Sequence, residues 1–582
     1  MKILKYAAVV ALAVGGLSGS AFAQDRAKAE PGGPAGKWST RTPVTPDPSK
    51  IKVPKGYKVS VFAAGLDTIT SITVDKHDNV WVAISGNTFG FPPQGIDKPH
   101  VKIFDKSGKL IKDNVGLGIF KSFALNEIGY CPENGRTYVG DYSYGIWEID
   151  GVNGTPKLIM NEVPIGDHAL GGITCRDGWL YYAVGAPTNS GYSDPDIHGW
   201  TDAIDPYWEK RTTDGMPALP RDPPCRDIVL TGLNIRDSQG NLTGAYLPKG
   251  TPSKPGQVIK AQTPCGGAIH RAKLKADSNY TTADWEVYAM GLRNSSGVAF
   301  GPKGSRFEKA LAVSDNGMND KGNRRVANGG EKLFIFTEKG QDGGFPDKDG
   351  QNFVNIKRYG PDVYRGNKFD PTRPNPQLNI GDKPFIPTLP PYRFIDHSIG
   401  VRGTPLIVAN PNPNGYVNPI MEWDTNNPMD GLAWAPKAFD SGGDVIYTAV
   451  FGIIDNGPES LRPMWPAIVR IELLNPAGVK WSIFAENIDP GPNAYQKKEN
   501  RGGFERTNDV EFSTDGKTMY VRLRRTVREL PDGIAVLHDA EIRRCLGDHE
   551  AVTGWFSSIP AAERPPGFFY ARIPLRGSTL AF

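Results

Sequence analysis

Gly291-Leu292-Arg293-Asn294-Ser295-Ser296-Gly297-Val298-Ala299-Phe300, followed by Leu311-Ala312-Val313-Ser314-Asp315-Asn316-Gly317, is the stretch on which the reading of the fold turns. An arginine and an asparagine stand between two glycines, just ahead of a short alternating apolar segment. That pattern reads as a β-strand with Arg293 and Asn294 at its mouth. All-β scaffolds carry their chemistry on such loops. Taken alone, the pair is equally well a satisfied turn and a solvated charge.

The same pattern recurs along the chain. Residues 57–66 and 72–75 lead through a tight turn to 80–83, residues 123–129 to 137–140, and residues 173–175 to 179–184. Later copies join 287–292 to 298–300, 431–434 to 445–448, and 484–487 to 510–512 and 519–521. Six copies of short strands with turn punctuation, none able to bury its faces alone, predict an all-β chain folded as a six-bladed β-propeller with long loop insertions.

The ends and the breaks in the repeat set the boundaries. Lys2 and Lys5 precede an apolar run from Tyr6 to Leu17 and a small-residue exit at residues 21–23, so residues 1–23 read as a secretory signal peptide. Residues 24–50, rich in Pro, Gly and Lys, read as a flexible tether. The propeller is expected over 51–582, interrupted by polar, Pro-rich insertions at about 186–265 and 340–419 and followed by a C-terminal extension from about 525. No later stretch approaches the roughly 18 apolar residues of a membrane span. A periplasmic or secreted protein with no membrane span is therefore expected.

Composition excludes more than it names. The chain has 67 Lys and Arg against 63 Asp and Glu, a balance of +4 that gives no reason to expect nucleic acid as a partner. Cys131, Cys175, Cys225, Cys265 and Cys545 show no CxxC or CxxCH spacing, so neither a zinc site nor attached haem is signalled. In an oxidising compartment Cys225 with Cys265 is a plausible disulfide, and the odd count leaves at least one thiol. Tyr192, Trp200, Tyr207 and Trp208 in the first insertion have the rings to stack on a sugar or to form a loop core. Asp194, Asp196 and His198 in the same insertion are a grouping that a polar loop supplies by chance.

Alignment of the copies by inner strand brings several loops to one rim. The third offers residues 166–172 with Asp167 and His168, the fourth Arg293 and Asn294, the fifth residues 427–430, and the sixth residues 505–509 with Arg506. A histidine beside arginines suits proton abstraction with stabilisation of a developing oxyanion. Read singly, His168 is also a packed structural histidine and Arg506 a partner for Glu505 or Asp509.

At these residues the chain resembles the soluble quinoprotein glucose and sorbosone dehydrogenases, six-bladed propellers that use pyrroloquinoline quinone (PQQ) with calcium. The markers are Asp167-His168, Gly291-Leu292-Arg293-Asn294, Ser314-Asp315-Asn316-Gly317 and Gly343-Gly344-Phe345-Pro346, within about residues 56–524. The resemblance implies His168 as general base toward the substrate hydroxyl and Arg293 as the group polarising the quinone oxygen. It implies Asp167, Asn294 and Arg506 as cofactor-binding residues, with Arg462 in place of the family's lysine. Gly317 and Met318 would hold calcium through main-chain carbonyls, with Asp315 and Asp320 as further oxygen donors. Asn508 stands where some members carry a second arginine.

The implied activity is oxidation of a sugar, alcohol or aldehyde as small-molecule substrate, with electrons passed to a separate acceptor such as a soluble cytochrome or quinone. The alternative is a propeller without PQQ, either a calcium-dependent lactonase-like hydrolase or a ligand-binding protein. A lactonase would want a cage of side-chain carboxylates and asparagines around calcium.

Overall fold

The computed structural model describes residues 46–524, 532–539 and 579–581, except 67–68, 86–97, 122–123, 143, 162, 165, 167, 169, 194–211, 214–215, 218–220, 237–239, 241, 319–323, 325, 327–328, 356–376, 381–382, 385–403, 426, 453–465, 475–477 and 491–496. The expected signal peptide, Cys545, Asp194, Asp196, His198, Trp200, Tyr207 and Trp208 lie outside the described residues, as does the expected tether up to residue 45.

Strand β1 (Tyr57–Leu66) begins the repeat but does not join the strands that follow it. The first sheet is β2 (Ile69–Val74), β3 (Val80–Ile84), β4 (His100–Phe104) and β5 (Leu110–Val115). The second is β6 (Leu125–Cys131), β7 (Arg136–Asp141), β8 (Gly145–Asp150) and β9 (Lys157–Met160). The third is β10 (Leu170–Arg176), β11 (Trp179–Val184), β12 (Ala268–Lys273) and β13 (Trp285–Met290). The fourth is β14 (Ser295–Phe300), β15 (Leu311–Asp315), β16 (Gly330–Phe336) and β17 (Met421–Thr425). The fifth is β18 (Met429–Trp434), β19 (Val445–Val450), β20 (Ala467–Leu473) and β21 (Val479–Asn487). The last joins β22 (Arg506–Phe512), β23 (Thr518–Arg524) and β24 (Asp532–Asp539) to β1.

The first strands of these sheets, β2, β6, β10, β14, β18 and β22, each pack on the next, and β22 packs on β2. The sheets thus stand in a closed ring, and the chain is an all-β propeller. Ring closure differs from the sequence reading in one respect. Residues 532–539, expected in a C-terminal extension from about 525, are a sheet strand and pair antiparallel with β1 over Tyr57↔Asp539 to Leu66↔Asp532. Joining an early strand and a late one in a single sheet ties the ring shut.

The core is divided accordingly, since each apolar cluster fills the gap between two neighbouring sheets. Trp81, Val101, Val139 and Trp147 pack between the first and second, and Tyr138, Ile146, Leu180 and Tyr182 between the second and third. Ile269, Tyr288, Leu311 and Phe334 do so between the third and fourth, and Tyr447, Phe484, Met519 and Val521 between the fifth and last. A separate small core of Ile228, Leu230, Leu233, Ile235 and Ile407 holds the insertions. There Leu233–Arg236 pairs with Gln377–Ile380, so the two insertions share one sheet. Tyr192 is buried in this core with its hydroxyl on the Leu233 carbonyl (2.9 Å), which removes it from the rings available for stacking.

Both disulfides join distant segments. Cys225–Cys265 spans the first insertion, and Cys131–Cys175, which the sequence had not paired, ties the end of β6 to β10. Among the described residues no helix is long and apolar enough to cross a membrane.

Candidate functional site

Every inner strand opens with the same irregularity. The register shifts between Ile69 and Ser71, Leu125 and Glu127, Leu170 and Ile173, Ser295 and Val298, Met429 and Leu432, and Thr507 and Asp509. A bulge re-aims side chains at a strand end, and six of them at equivalent places form one rim. Glycines let the strands touch there. A Cβ on Gly171 would lie 1.7 Å from the Ser295 carbonyl oxygen, and one on Gly431 would lie 2.0 Å from Asp509 Oδ1.

His168 and Arg293 meet on this rim through the backbone of one residue, Ala186. His168, buried ahead of β10, has Nδ1 2.5 Å from the Ala186 carbonyl oxygen, and the Ala186 N–H donates to the Arg293 carbonyl at 2.6 Å. Because a carbonyl can only accept, Nδ1 carries the proton, which makes Nε2 the nitrogen that would act as a base whenever the ring is neutral.

Arg293 is 4% exposed. Its Nη2 donates to Asn189 Oδ1 (2.8 Å), Nε to the Asn189 carbonyl (3.2 Å) and Nη1 to the Asn316 carbonyl (3.5 Å). Asn189 sits on the loop leaving β11, and Asp222 pins that loop by accepting the Thr188 N–H (2.9 Å) and hydroxyl (2.5 Å). Burial pushes the Asp222 carboxyl up to about 6, against the Thr188 bonds and the charges of Arg293 and Arg221.

Beneath the pair, one oxygen of Asp315 takes the N–H groups of Arg293 and Asn294 (2.9 Å each) and the Ser295 hydroxyl (3.1 Å). Burial raises its carboxyl although Lys332 opposes the shift from 4.0 Å. Lys332 itself is buried and bonds Asp349 at 2.7 Å. Gly317 gives its N–H to Glu331 Oε2 (2.8 Å), and a Cβ on Gly329 would stand 2.1 Å from the Met318 carbonyl oxygen. The Gly317–Met318 backbone is therefore held against a second strand of backbone with no side chain between. Met318 is itself a core residue.

Two further sets complete the rim; sequence reasoning had brought residues 427–430 and 505–509 there, with Asp509 as a partner for Arg506, but had made none of them a site residue other than Arg506. Asp509 accepts from the Ser71 hydroxyl (2.7 Å) and the Ile72 and Val510 N–H groups (2.9 Å each), bridging the last sheet to the first. Burial pushes Asp509 up to about 6, and burial with the charges of Asp509 and Asp430 holds Glu127 well above the carboxylate range. Asn316 Nδ2 reaches Asp430 Oδ1 at 3.3 Å. The second set is made of buried amide atoms without hydrogen-bond partners among the described residues: Oδ1 and Nδ2 of the fully buried Asn427, and Oδ1 of Asn316. The only sequence signal for either set was position relative to the inner strand.

The structure thus brings together His168, Arg293, Asn294, Asp315 and the Gly317–Met318 backbone. Arg506 opens β22 and is buried with its guanidinium 4.7 Å over the Phe451 ring, on the fifth-sheet side of the rim. The Asp509 carboxylate, which sequence offered as an Arg506 partner, is bonded to Ser71 and Ile72. Asn508 is half-buried, with Nδ2 3.4 Å from the Thr70 carbonyl. Asp167, Asp320 and Arg462 lie outside the described residues. Among the described residues no three His, Cys, Asp or Glu side chains group as a metal site, so a cation on this rim would need main-chain or amide oxygens as well.

No protein-family profile and no curated protein matches the chain. Solved structures do. The chain is similar in fold to PQQ sugar dehydrogenases. The PQQ-bound aldose sugar dehydrogenase of Streptomyces coelicolor is 14% identical, with 84% of this chain and 99% of that one covered at a TM-score of 0.42. The holo PQQ domain of Coprinopsis cinerea pyranose dehydrogenase is 13% identical, covering 84% and 97% at 0.41. A calcium structure of the Trichoderma reesei carbohydrate-active enzyme of family AA12 is 14% identical, covering 87% and 100% at 0.44.

Proposed function

We propose that this chain is a periplasmic quinoprotein dehydrogenase on a six-bladed propeller, each four-stranded sheet being one blade, oxidising a sugar, alcohol or aldehyde with PQQ and calcium. The observation that carries the reading is the Ala186 backbone that His168 and Arg293 share. It sets a base of fixed tautomer beside the main chain of a residue with a buried guanidinium, on one rim. His168 Nε2 takes the substrate hydroxyl proton, and Arg293 holds positive charge where an oxyanion develops. PQQ, when bound, supplies a quinone that accepts the hydride.

The residues present fit such a group. Asn427 and Asn316 offer three buried amide atoms with no hydrogen-bond partner among the described residues, each costing about 1–3 kcal/mol until something meets it. Asn294, Arg506, Asp167 and Arg462 are the other cofactor-binding residues, and Arg293 and Arg506 give a carboxylate-bearing ligand its counter-charge. Gly317 and Met318 would hold calcium by their carbonyls, with Asp315 and Asp320 as less direct donors. Electrons leave to a separate acceptor, a soluble cytochrome or quinone.

One observation favours a second reading. Glu127, Asp430 and Asp509 with Asn316 bring side-chain carboxylates and an amide to the rim, the donor types a calcium-dependent lactonase would use, with main-chain oxygens needed to complete a cage because no three of the carboxylates group as a metal site among the described residues. Titration of purified protein with PQQ and calcium separates the two. The quinoprotein reading expects a PQQ-induced absorbance change, a rise in melting temperature and dye reduction. His168→Ala should lose turnover and retain PQQ binding. Absence of the absorbance and thermal shifts at saturating PQQ, with calcium-dependent lactone hydrolysis instead, would establish the second.

A further inference from the structure

We propose that the cleft between the two insertions is a second ligand site, taking a neutral polyhydroxylated ring such as an aldohexose, apart from the rim that carries His168 and Arg293. The cleft encloses about 320 Å³, which lies in the range of small-molecule sites. None of His168, Arg293, Asn294 or Arg506 lines it.

Its wall is the turn at residues 343–346. That turn is stitched to the strand ahead of Arg293 by Gly343 N–H to the Met290 carbonyl (2.8 Å) and Phe345 N–H to the Gly291 carbonyl (3.0 Å). The Cys225–Cys265 disulfide ties together two further parts of the lining, Cys225 and Gly266. The cavity is therefore preformed, which lowers the ordering cost of binding.

Three features select the ligand. First, Phe353 stays 38% exposed at the cleft, edge-on to Tyr416 at 5.9 Å between ring centroids. An exposed aromatic platform suits the C–H face of a sugar ring. Second, Arg226 Nε stands 3.6 Å from Asp342 Oδ2, with the arginine side chain 21% exposed. This donor and acceptor meet at the cleft wall as a pair of vicinal hydroxyls requires. Third, the lining holds the carboxylates of Asp222, Asp342 and Asp347 against the one guanidinium of Arg226, which opposes an anion. It does not call for a cation either, because each carboxylate already has donors. Asp347 takes Arg324 and the Ile407 and Val408 N–H groups, Asp222 takes Thr188, and Asp342 takes Asn412 and Gly344.

The test is read without PQQ, so it is independent of the dehydrogenase reading. Saturation-transfer NMR and calorimetry are run with glucose and maltose, and with glucuronate and glucosamine as charged counterparts, on the wild-type full chain and on His168→Ala. Neutral sugar should bind both proteins alike. Phe353→Ala, at an exposed position, and Arg226→Met should each weaken binding at least about tenfold with the melting temperature kept, and glucuronate should bind more weakly than glucose. The proposal is overturned if neither sugar binds at a concentration well above a Kd of about 1 mM, if binding is indifferent to both cleft variants, if His168→Ala alone removes it, or if a charged counterpart binds as tightly.

Discussion

Asn189→Ala tests the geometry of the rim most directly. The Asn189 side chain accepts from Arg293 Nη2 at 2.8 Å, while its carbonyl, which the substitution keeps, accepts from Nε at 3.2 Å. Truncation removes one bond from a charged donor that is 4% exposed and has little water to turn to. Such bonds contribute about 1.5–3 kcal/mol, so the melting temperature should fall by a few degrees. The guanidinium should keep its bonds to the Asn189 and Asn316 carbonyls and lose the bond that orients Nη2. If Arg293 stabilises the developing oxyanion, displacement on the order of 1 Å lowers kcat about a hundredfold. The assay is dye reduction by PQQ- and calcium-loaded protein under saturating substrate, with PQQ affinity followed by absorbance. Asn189→Asp keeps an acceptor for Nη2 and should recover the melting temperature. A kcat within twofold of wild type in Asn189→Ala, or an Asn189→Asp protein as unstable as the alanine variant, would refute the reasoning.

Arg293→Lys replaces a planar fork that serves three acceptors by a single ammonium, so kcat should fall by at least about tenfold, and full activity would remove Arg293 from the site. His270 is fully buried, and desolvation lowers its imidazole to about 4 from the ordinary 6.5. The folded form resists the proton that the unfolded chain takes up, so this contribution is intact above 6.5 and lost as pH falls toward 4. The 2.5-unit gap corresponds to about 3 kcal/mol, and melting curves from pH 7 to 4 should show a dependence that His270→Gln flattens. Replacing Cys131 and Cys175 together by alanine releases a 44-residue separation and should cost about 4 kcal/mol by loop entropy, read as a lower melting temperature under non-reducing conditions. An unchanged melting temperature would mean that the neighbouring sheets hold those strands without the bridge.

The sequence by itself determined the class of fold and the places where the rim residues enter it. Strands such as β14 and β18 follow from short apolar runs behind a glycine or Asn-Pro, and those local signals survive folding because each strand pairs with its sequence neighbour. His168, Arg293 and Asn294 were visible for the same reason, being adjacent to strand starts. Only the tertiary structure decided what those residues touch. Asn189 lies in a polar loop without period, and its role exists only because that loop folds back on Arg293. Glu127, Asp430 and Asp509 come from three separate sheets, and the charges of Asp430 and Asp509 raise Glu127 only once the ring has closed and excluded water. The closure, β1 on β24, pairs segments more than 450 residues apart. The free energy of such contacts depends on position in space, which local sequence pattern does not encode.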